Sequence, residues 1–153
     1  MKNIRLIATD LDGTFFTDNK DISVKNMKAA SDAFERGILI VPATGRSLYT
    51  IPKKVLELNC IRYVITSNGA GITETGKSIY KNQLDSQTAF KVIDIALSVD
   101  IMVEIFTEGR AYILKKFADN LIKYGVNPKF KDWILDTRNT VNNFSEILSE
   151  TST

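Results

Sequence analysis

The sequence contains no histidine and a single cysteine, Cys60. Without histidine, the chain cannot build a Ser-His-Asp or Cys-His nucleophile arrangement, and it cannot complete most kinds of zinc site. One cysteine cannot form an internal disulfide, which fits a reducing compartment. Any chemistry must therefore depend on carboxylates, hydroxyls, lysine, arginine and backbone amides.

The sequence also lacks a long apolar run and a strong excess of one charge. No apolar segment is long enough to span a bilayer, and the short basic start before Asp10 is typical of a buried strand rather than a signal peptide. The 20 basic and 18 acidic residues give a net charge of +2, which does not indicate nucleic-acid binding. We therefore expect a cytoplasmic globular protein with neither a nucleic-acid nor a membrane partner.

Short apolar runs alternate with amphipathic segments over residues 1–82. The predicted elements are strands at 4–9, 38–41 and 63–66, helices at 24–36 and 49–58, and a small hairpin over 71–80. This order predicts right-handed crossovers and a parallel sheet that is covered on both faces. The run at 4–9 is uniformly apolar and is predicted to be a buried strand.

The pattern changes after residue 82. The predicted elements are a helix capped by Ser86 and ending near Val99, an antiparallel hairpin of 101–106 with 110–114, a helix near 117–124 and a helical turn at 144–148. We therefore predict two domains, residues 1–82 and 83–153.

The run DLDGT at positions 10–14 follows the first predicted strand. Two carboxylates this close together are unfavourable if they are buried without a cation or hydrogen bonds. Gly13 permits a sharp turn and leaves its amide open to an anion, so the run indicates a site for Mg²⁺ and phosphate. The alternative is an ordinary Asp-rich turn. Ligands bind at the carboxyl ends of parallel strands, and Asp10, Thr44 and Asn68 all lie at such ends.

The DLDGT run resembles the first motif of the haloacid dehalogenase superfamily, and TGR at 44–46 resembles the second. Roughly thirty residues separate the two motifs, too few for a cap domain, so a cap must follow Thr44. This arrangement is similar to that of the Cof-type sugar-phosphate phosphatases, which also have close parallels to SNGA at 67–70. The resemblance implies an α/β fold, with a three-layer Rossmann-like core in 1–82 and a partial α+β cap in 83–153.

The resemblance also implies a role for each matching residue. Asp10 would attack phosphorus to form an aspartyl-phosphate, and Asp12 would act first as an acid and then as a base. Mg²⁺ would be held by the Asp10 carboxylate and the Asp12 main-chain carbonyl. The residues that would bind phosphate or substrate are Gly13, Thr14, Thr44, Gly45, Arg46, Asn68 and Gly69.

Several of these residues have plainer explanations that the sequence leaves open. Thr44 is also typical of a helix cap after a strand. Arg46 could equally pair with a surface acid. The Asn68-Gly69 pair is also typical of a tight turn.

The family's third motif supplies a lysine and its fourth supplies acids for Mg²⁺, and both follow the cap. The sequence ends at Thr153, within the predicted cap, so the resemblance implies an incomplete core with an unpaired apolar edge at 4–10. From that edge we hypothesise that the chain self-associates, swaps strands, or is only part of a longer product. The expected function is Mg²⁺-dependent hydrolysis of a sugar phosphate or similar small metabolite; the alternatives are a non-catalytic fragment of such a phosphatase and an interaction module.

Overall fold

The computed structural model describes residues 3–148, which form two compact units, one up to Asn82 and one from Gln83 onward. The first unit runs in the order β1 (Leu6–Thr9), α1 (Val24–Glu35), β2 (Leu39–Pro42), α2 (Lys53–Leu56), β3 (Tyr63–Thr66), β4 (Gly71–Glu74) and β5 (Lys77–Lys81). The second unit runs in the order α3 (Ser86–Ser98), β6 (Glu104–Thr107), β7 (Arg110–Leu114), α4 (Lys115–Ala118), α5 (Lys131–Thr137), β8 (Asn139–Val141) and α6 (Ser145–Leu148).

The first unit is built on a parallel arrangement of β1, β2 and β3. β1 pairs with β2, and β3 lies on the other side of β2 through the parallel bridges Ile40 to Ile61 and Ala43 to Ile65. β4 and β5 continue from β3 as antiparallel strands, so the predicted hairpin is confirmed. Because β1, β2 and β3 are parallel, their carboxyl ends meet at the same edge.

β1 is not the buried strand that its apolar sequence predicts. Leu6 is 51% exposed and Ile7 is 40% exposed. Within residues 3–148 this strand pairs with β2 alone, so its other edge is open. The prediction of a sheet covered on both faces is therefore wrong at β1.

The two helices of the first unit differ in how well the sequence predicts them. α1 begins after Ser23, whose side chain accepts a hydrogen bond from the amide of Asn26 at 3.0 Å, as expected for a helix cap. The helix predicted over 49–58 is wrong in length, because a 3₁₀ turn at Leu48–Thr50 and the four-residue α2 replace it. Proline disfavours a helical backbone in the residue before it, and Ile51, which precedes Pro52, has an extended backbone.

Apolar side chains from all these elements form the core of the first unit. The buried members are Leu11, Phe15, Phe16, Ala30, Ile40, Ile51, Val55, Cys60, Ile61 and Val64. The core therefore lies directly behind the turn that carries the two predicted catalytic acids.

The second unit confirms the predicted hairpin of β6 and β7 and adds a strand that the sequence did not predict, β8, parallel to β7. α3 is capped by Asp85, which accepts a hydrogen bond from the Thr88 amide at 2.9 Å, rather than by the predicted Ser86. The helix predicted near 117–124 is reduced to α4 followed by turns, whereas α6 agrees with the predicted helical turn. Within residues 3–148, no helix has the length and apolar character needed to cross a membrane.

Candidate active site

Two carboxylates follow β1, one on each side of a buried anchor. Leu11 is fully buried in the core, whereas Asp10 is exposed and Asp12 is half-buried. Residues Leu11–Phe15 form one wide helical turn, closed by hydrogen bonds from the Phe15 amide to the Asp10 carbonyl (3.1 Å) and from the Phe16 amide to the Leu11 carbonyl (2.8 Å). Burial of Leu11 thus fixes the backbone between the two acids.

Gly13 lies inside this turn with a φ of +80°. Glycine adopts this left-handed conformation readily, whereas a side chain at that position would be strained. The sequence-based expectation of a sharp turn at Gly13 is therefore confirmed.

A cleft of about 330 Å³ opens at the carboxyl ends of β1, β2 and β3. The residues that line it are Asp10, Ala43, Thr44, Gly45, Ile65, Asn68 and Gly69. The structure therefore brings five of the predicted site residues together. The other predicted site residues lie outside this lining: Asp12, Gly13, Thr14 and Arg46.

Thr44 is buried at the base of the cleft and is held by backbone hydrogen bonds. Its amide donates to the Ile65 carbonyl at 3.0 Å, and its carbonyl accepts from the Asn68 amide at 3.1 Å. Its hydroxyl accepts from the amide of Arg46 at 3.2 Å, as in a cap. The hydroxyl can still donate its own hydrogen, so the capping contact and a phosphate contact are compatible.

The loops after β2 and β3 fit closely together at Gly45. A Cβ placed on Gly45 would lie 3.0 Å from Oδ1 of Asn68, so any larger residue would displace the Asn68 amide. Asn68 itself has a φ of 54°, and its neighbours Ser67 and Gly69 also have positive φ values. This backbone presents the Asn68 side chain at the wall of the cleft, next to Gly45.

Asp12 is held by two cations. The Arg46 guanidinium donates from Nε to Oδ2 at 2.7 Å and from Nη2 to Oδ1 at 2.9 Å, and Lys20 Nζ donates to Oδ1 at 2.8 Å. The hydrogen bond from Arg46 is the main reason that the pKa of Asp12 lies well below its usual range. Partial burial opposes that shift, and Lys20 reinforces it. Asp12 is therefore held as a carboxylate.

Arg46 is placed differently from what a phosphate-binding role would suggest. Besides Asp12, its guanidinium donates from Nη1 to the Thr50 carbonyl at 2.9 Å and lies 5.9 Å from the centre of the Phe16 ring. The paired acid that the sequence left open as an alternative is thus Asp12. A direct contact of Arg46 with substrate remains a prediction.

Lys20 is the site residue that the sequence analysis missed. It lies in the polar turn of residues 17–21, eight positions after Asp12, and its backbone has a φ of 59°. The only signal available was a basic residue in a polar turn, which is a common surface feature and not specific for a site.

The oxygen atoms after β1 suit the ligand preference of Mg²⁺. Within residues 3–148, no three His, Cys, Asp or Glu side chains lie together as a metal-binding group. Mg²⁺ binds through one or two carboxylates and takes its remaining ligands from water and substrate phosphate. The exposed carboxylate of Asp10 fits that requirement, together with the main-chain carbonyl of Asp12. The carboxylate of Asp12 is already engaged by Arg46 and Lys20.

Comparison with known proteins agrees with this geometry. The sequence profile of the haloacid dehalogenase-like hydrolases matches residues 7–152. A protein of Escherichia coli named 5-amino-6-(5-phospho-D-ribitylamino)uracil phosphatase YbjI is 32% identical over 120 residues, which are 76% of this chain and 44% of that protein. YwtE of Bacillus subtilis, which has the same enzyme name, is 34% identical over 106 residues, covering 69% of this chain and 36% of that protein. The chain thus spans about a third to somewhat under half of the length of such relatives.

Solved structures share the fold. A haloacid dehalogenase-like hydrolase from B. subtilis superposes with a TM-score of 0.75 at 23% identity, over 98% of this chain and 58% of that one. The subclass IIB sugar phosphatase BT4131 gives a TM-score of 0.74 at 21% identity, over 95% of this chain and 55% of that one. The Rossmann-like α/β fold predicted from the sequence is therefore confirmed. Because the profile match extends over nearly the whole chain, the chain belongs to the haloacid dehalogenase-like hydrolase family.

Proposed function

We propose that this chain carries the nucleophile, the acid–base group and part of the phosphate site of a Mg²⁺-dependent phosphate-monoester hydrolase. The observation that supports the proposal best is the convergence of Asp10 and Thr44 in one cleft, with Asp12 two residues from the nucleophile. We further propose that residues 1–82 are the catalytic core, that residues 83–153 are part of a cap, and that the protein acts in the cytoplasm.

The first half of the proposed reaction forms a covalent intermediate. An oxygen of the Asp10 carboxylate attacks phosphorus, and the bond from phosphorus to the substrate oxygen breaks. Protonated Asp12 gives its proton to that departing oxygen, which leaves as an alcohol. The Thr44 hydroxyl and nearby amides donate hydrogen bonds to the phosphoryl oxygens. Mg²⁺, held by the Asp10 carboxylate and the Asp12 carbonyl, would reduce the repulsion between two anions.

The second half restores the enzyme. Water attacks the phosphorus of the aspartyl-phosphate, Asp12 accepts a proton from that water, and the bond between phosphorus and the Asp10 oxygen breaks. Inorganic phosphate leaves, and Asp12 ends the cycle protonated, ready to act as the acid again. The carboxylate form of Asp12 that Arg46 and Lys20 favour is the form that this second half requires. The first half requires the protonated form, so it requires those two contacts to weaken when the substrate is bound.

The substrate we propose is a small phosphorylated metabolite, such as a sugar phosphate. Relatives of this chain are named as phosphatases of 5-amino-6-(5-phospho-D-ribitylamino)uracil, and a structural neighbour is described as a sugar phosphatase. Both descriptions join a phosphate monoester to a polyhydroxylated carbon chain.

Dependence on Mg²⁺ provides the direct test of this proposal. The chain is expected to hydrolyse a generic aryl phosphate with Mg²⁺ present, to lose that activity in excess chelator, and to regain it when Mg²⁺ is restored, because two anions must meet in the cleft. Release of the aryl alcohol is followed by absorbance. Hydrolysis that persists in chelator would contradict the proposal. Absence of hydrolysis under both conditions would favour the alternative of a non-catalytic fragment.

An interaction role is the second candidate, and the open edge of β1 favours it. Residues Leu6–Thr9 carry no charge, and the apolar side chains of Leu6 and Ile7 are exposed there. An edge strand is self-complementary when it pairs antiparallel about a two-fold axis, and two uncharged strands meet without repulsion. We therefore propose a second copy of this chain as the occupant of the β1 edge.

Self-association is expected to be concentration-dependent and to require Leu6. In sedimentation velocity, the unaltered chain should shift toward a dimer as its concentration rises. Leu6→Lys should remain monomeric, because it replaces an apolar side chain of the edge strand by a charged one that pairing would bury. Leu56→Lys, which alters another partly exposed leucine of the same unit, should behave like the unaltered chain. A monomer at every concentration would contradict the proposal.

A further inference from the structure

Lys20 holds Asp12 from a turn whose base is firmly anchored. The Thr17 amide donates to the Asp21 carbonyl at 2.7 Å, and the Lys20 amide donates to the Thr17 carbonyl at 2.9 Å. Phe16, at the start of the turn, is buried in the core and forms a bridge with Ile22 at its end. The position of Lys20 beside Asp12 therefore follows from the fold of the turn.

The backbone of Lys20 is unusual for this residue type. Its φ of 59° lies in the left-handed region, which glycine and asparagine occupy more readily than lysine. Backbone outliers of this kind are concentrated at functional sites, where the surrounding structure maintains them. A lysine in this conformation, with its ammonium on the proposed acid–base group, points to a use for the ammonium.

The two cations on Asp12 are not equivalent. The Arg46 side chain is 13% exposed and makes two contacts with Asp12 and one with the Thr50 carbonyl. The Lys20 side chain is 52% exposed, and within residues 3–148 Asp12 is its ion-pair partner. Lys20 can therefore move away from Asp12 while Arg46 continues to fix the carboxylate.

An ammonium group can move from one anion to another, here from the Asp12 carboxylate to a phosphoryl oxygen. It is a compact charge with three donors on a flexible stem, so it can contact a carboxylate and a phosphoryl oxygen in turn or together. A group that transfers protons to the substrate's departing oxygen must lie within hydrogen-bond reach of that oxygen. Lys20 lies 2.8 Å from Oδ1 of Asp12, so its ammonium would be close to a phosphoryl group whose departing oxygen is bound to Asp12.

We propose that Lys20 is a substrate-binding residue, whose ammonium moves from Asp12 to the phosphoryl group of the substrate. Oδ1 of Asp12 then keeps the hydrogen bond from Arg46 and loses the one from Lys20, which leaves a lone pair of that oxygen open for proton transfer. This inference depends on the proposed function, because it requires a phosphate in the cleft. It assigns to the turn of residues 17–21 a direct part in recognising the phosphate.

The test is the binding of inorganic phosphate, with Mg²⁺ present, measured by calorimetry. Lys20→Met keeps an unbranched side chain, one atom shorter and without the charge, and is expected to raise the Kd for phosphate by about tenfold, whereas Lys20→Arg should stay within about threefold of the unaltered chain. Lys28→Met is the matched control, because Lys28 forms an exposed ion pair with Asp32 on α1. It should leave the Kd unchanged.

Lys20→Gly separates binding from folding. Glycine suits the left-handed backbone, so this variant should be as resistant to urea as the unaltered chain, or more so, and should still bind phosphate about tenfold more weakly. If Lys20 only stabilised the fold, this variant would not combine full resistance to urea with weaker phosphate binding.

Thr44→Val distinguishes a failure of this inference from a failure of the proposed function. If Thr44→Val loses phosphate binding while Lys20→Met and Lys20→Gly retain it, the cleft is a phosphate site and the inference on Lys20 is overturned. If the unaltered chain binds no phosphate, or Thr44→Val binds it unchanged, the proposed function fails and this inference fails with it.

Discussion

Asp10→Asn is expected to reduce Mg²⁺-dependent hydrolysis of an aryl phosphate by at least about a thousandfold, because an amide cannot act as the nucleophile that forms the covalent intermediate. Asparagine has nearly the same shape, and Asp10 is exposed, so the fold of the first unit should not change. The measurement is the initial rate of aryl alcohol release at saturating Mg²⁺. Asp32→Asn, which alters an acid on α1, serves as the matched control and should keep the full rate.

A second readout makes the same prediction independent of turnover. Beryllofluoride forms a complex with a reactive aspartate that resembles an aspartyl-phosphate, and its bound form is visible by fluorine NMR. We expect the unaltered chain and Asp32→Asn to show the bound signal with Mg²⁺, and Asp10→Asn to show none. Equal signals from all three proteins would mean that Asp10 is not the nucleophile.

Leu11→Ala is expected to lower the free energy of unfolding of the first unit by about 2–5 kcal/mol, since it removes a fully buried side chain and leaves a cavity. Because Leu11 lies between Asp10 and Asp12, the same change should loosen both acids. Leu56→Ala is the control, because Leu56 is 36% exposed and its truncation should cost well under about 2 kcal/mol.

Cys60 gives a probe of the first unit that is already present in the chain. It is the single cysteine of the sequence, it is buried, and it belongs to the same core cluster as Leu11. Burial also raises the pKa of its thiol, so reaction with a thiol reagent should require opening of the unit. A loss of 2–5 kcal/mol corresponds to labelling that is faster by roughly 30-fold to several-thousandfold. Unchanged labelling in Leu11→Ala would show that the Leu11 side chain contributes little to stability.

The sequence predicts the elements of the first unit better than it predicts their burial. Hydrophobic runs locate β1, β2 and β3, and Ser23 locates the start of α1, because these are local signals. Exposure of Leu6 and Ile7 could not be predicted from such local signals, whereas the resemblance to the family did imply an unpaired apolar edge there. An apolar residue favours burial in a core. Whether it is buried depends on which other elements of the chain pack against it.

In the candidate site, too, some features can be predicted from the sequence and others depend on tertiary packing. The rule that parallel strands place their carboxyl ends at one edge is enough to expect Asp10, Thr44 and Asn68 near one another, and one cleft contains all three. The contacts around Asp12 are of a different kind. Arg46 reaches Asp12 across 34 positions, and Lys20 reaches it through a left-handed turn that lysine does not favour. Both contacts depend on tertiary packing, so no local sequence pattern predicts them.

The left-handed backbone over Ser67, Asn68 and Gly69 limits which residue types can occur on that side of the cleft. β-Branched and bulky aromatic side chains are strongly disfavoured at such angles, whereas glycine, asparagine and aspartate are tolerated. Gly45 adds a second limit, because a larger residue there would collide with Asn68. The part of the cleft wall that these two loops form is therefore restricted to small residues before any ligand is considered. Differences in substrate choice among proteins that share this loop geometry must then arise from other surfaces.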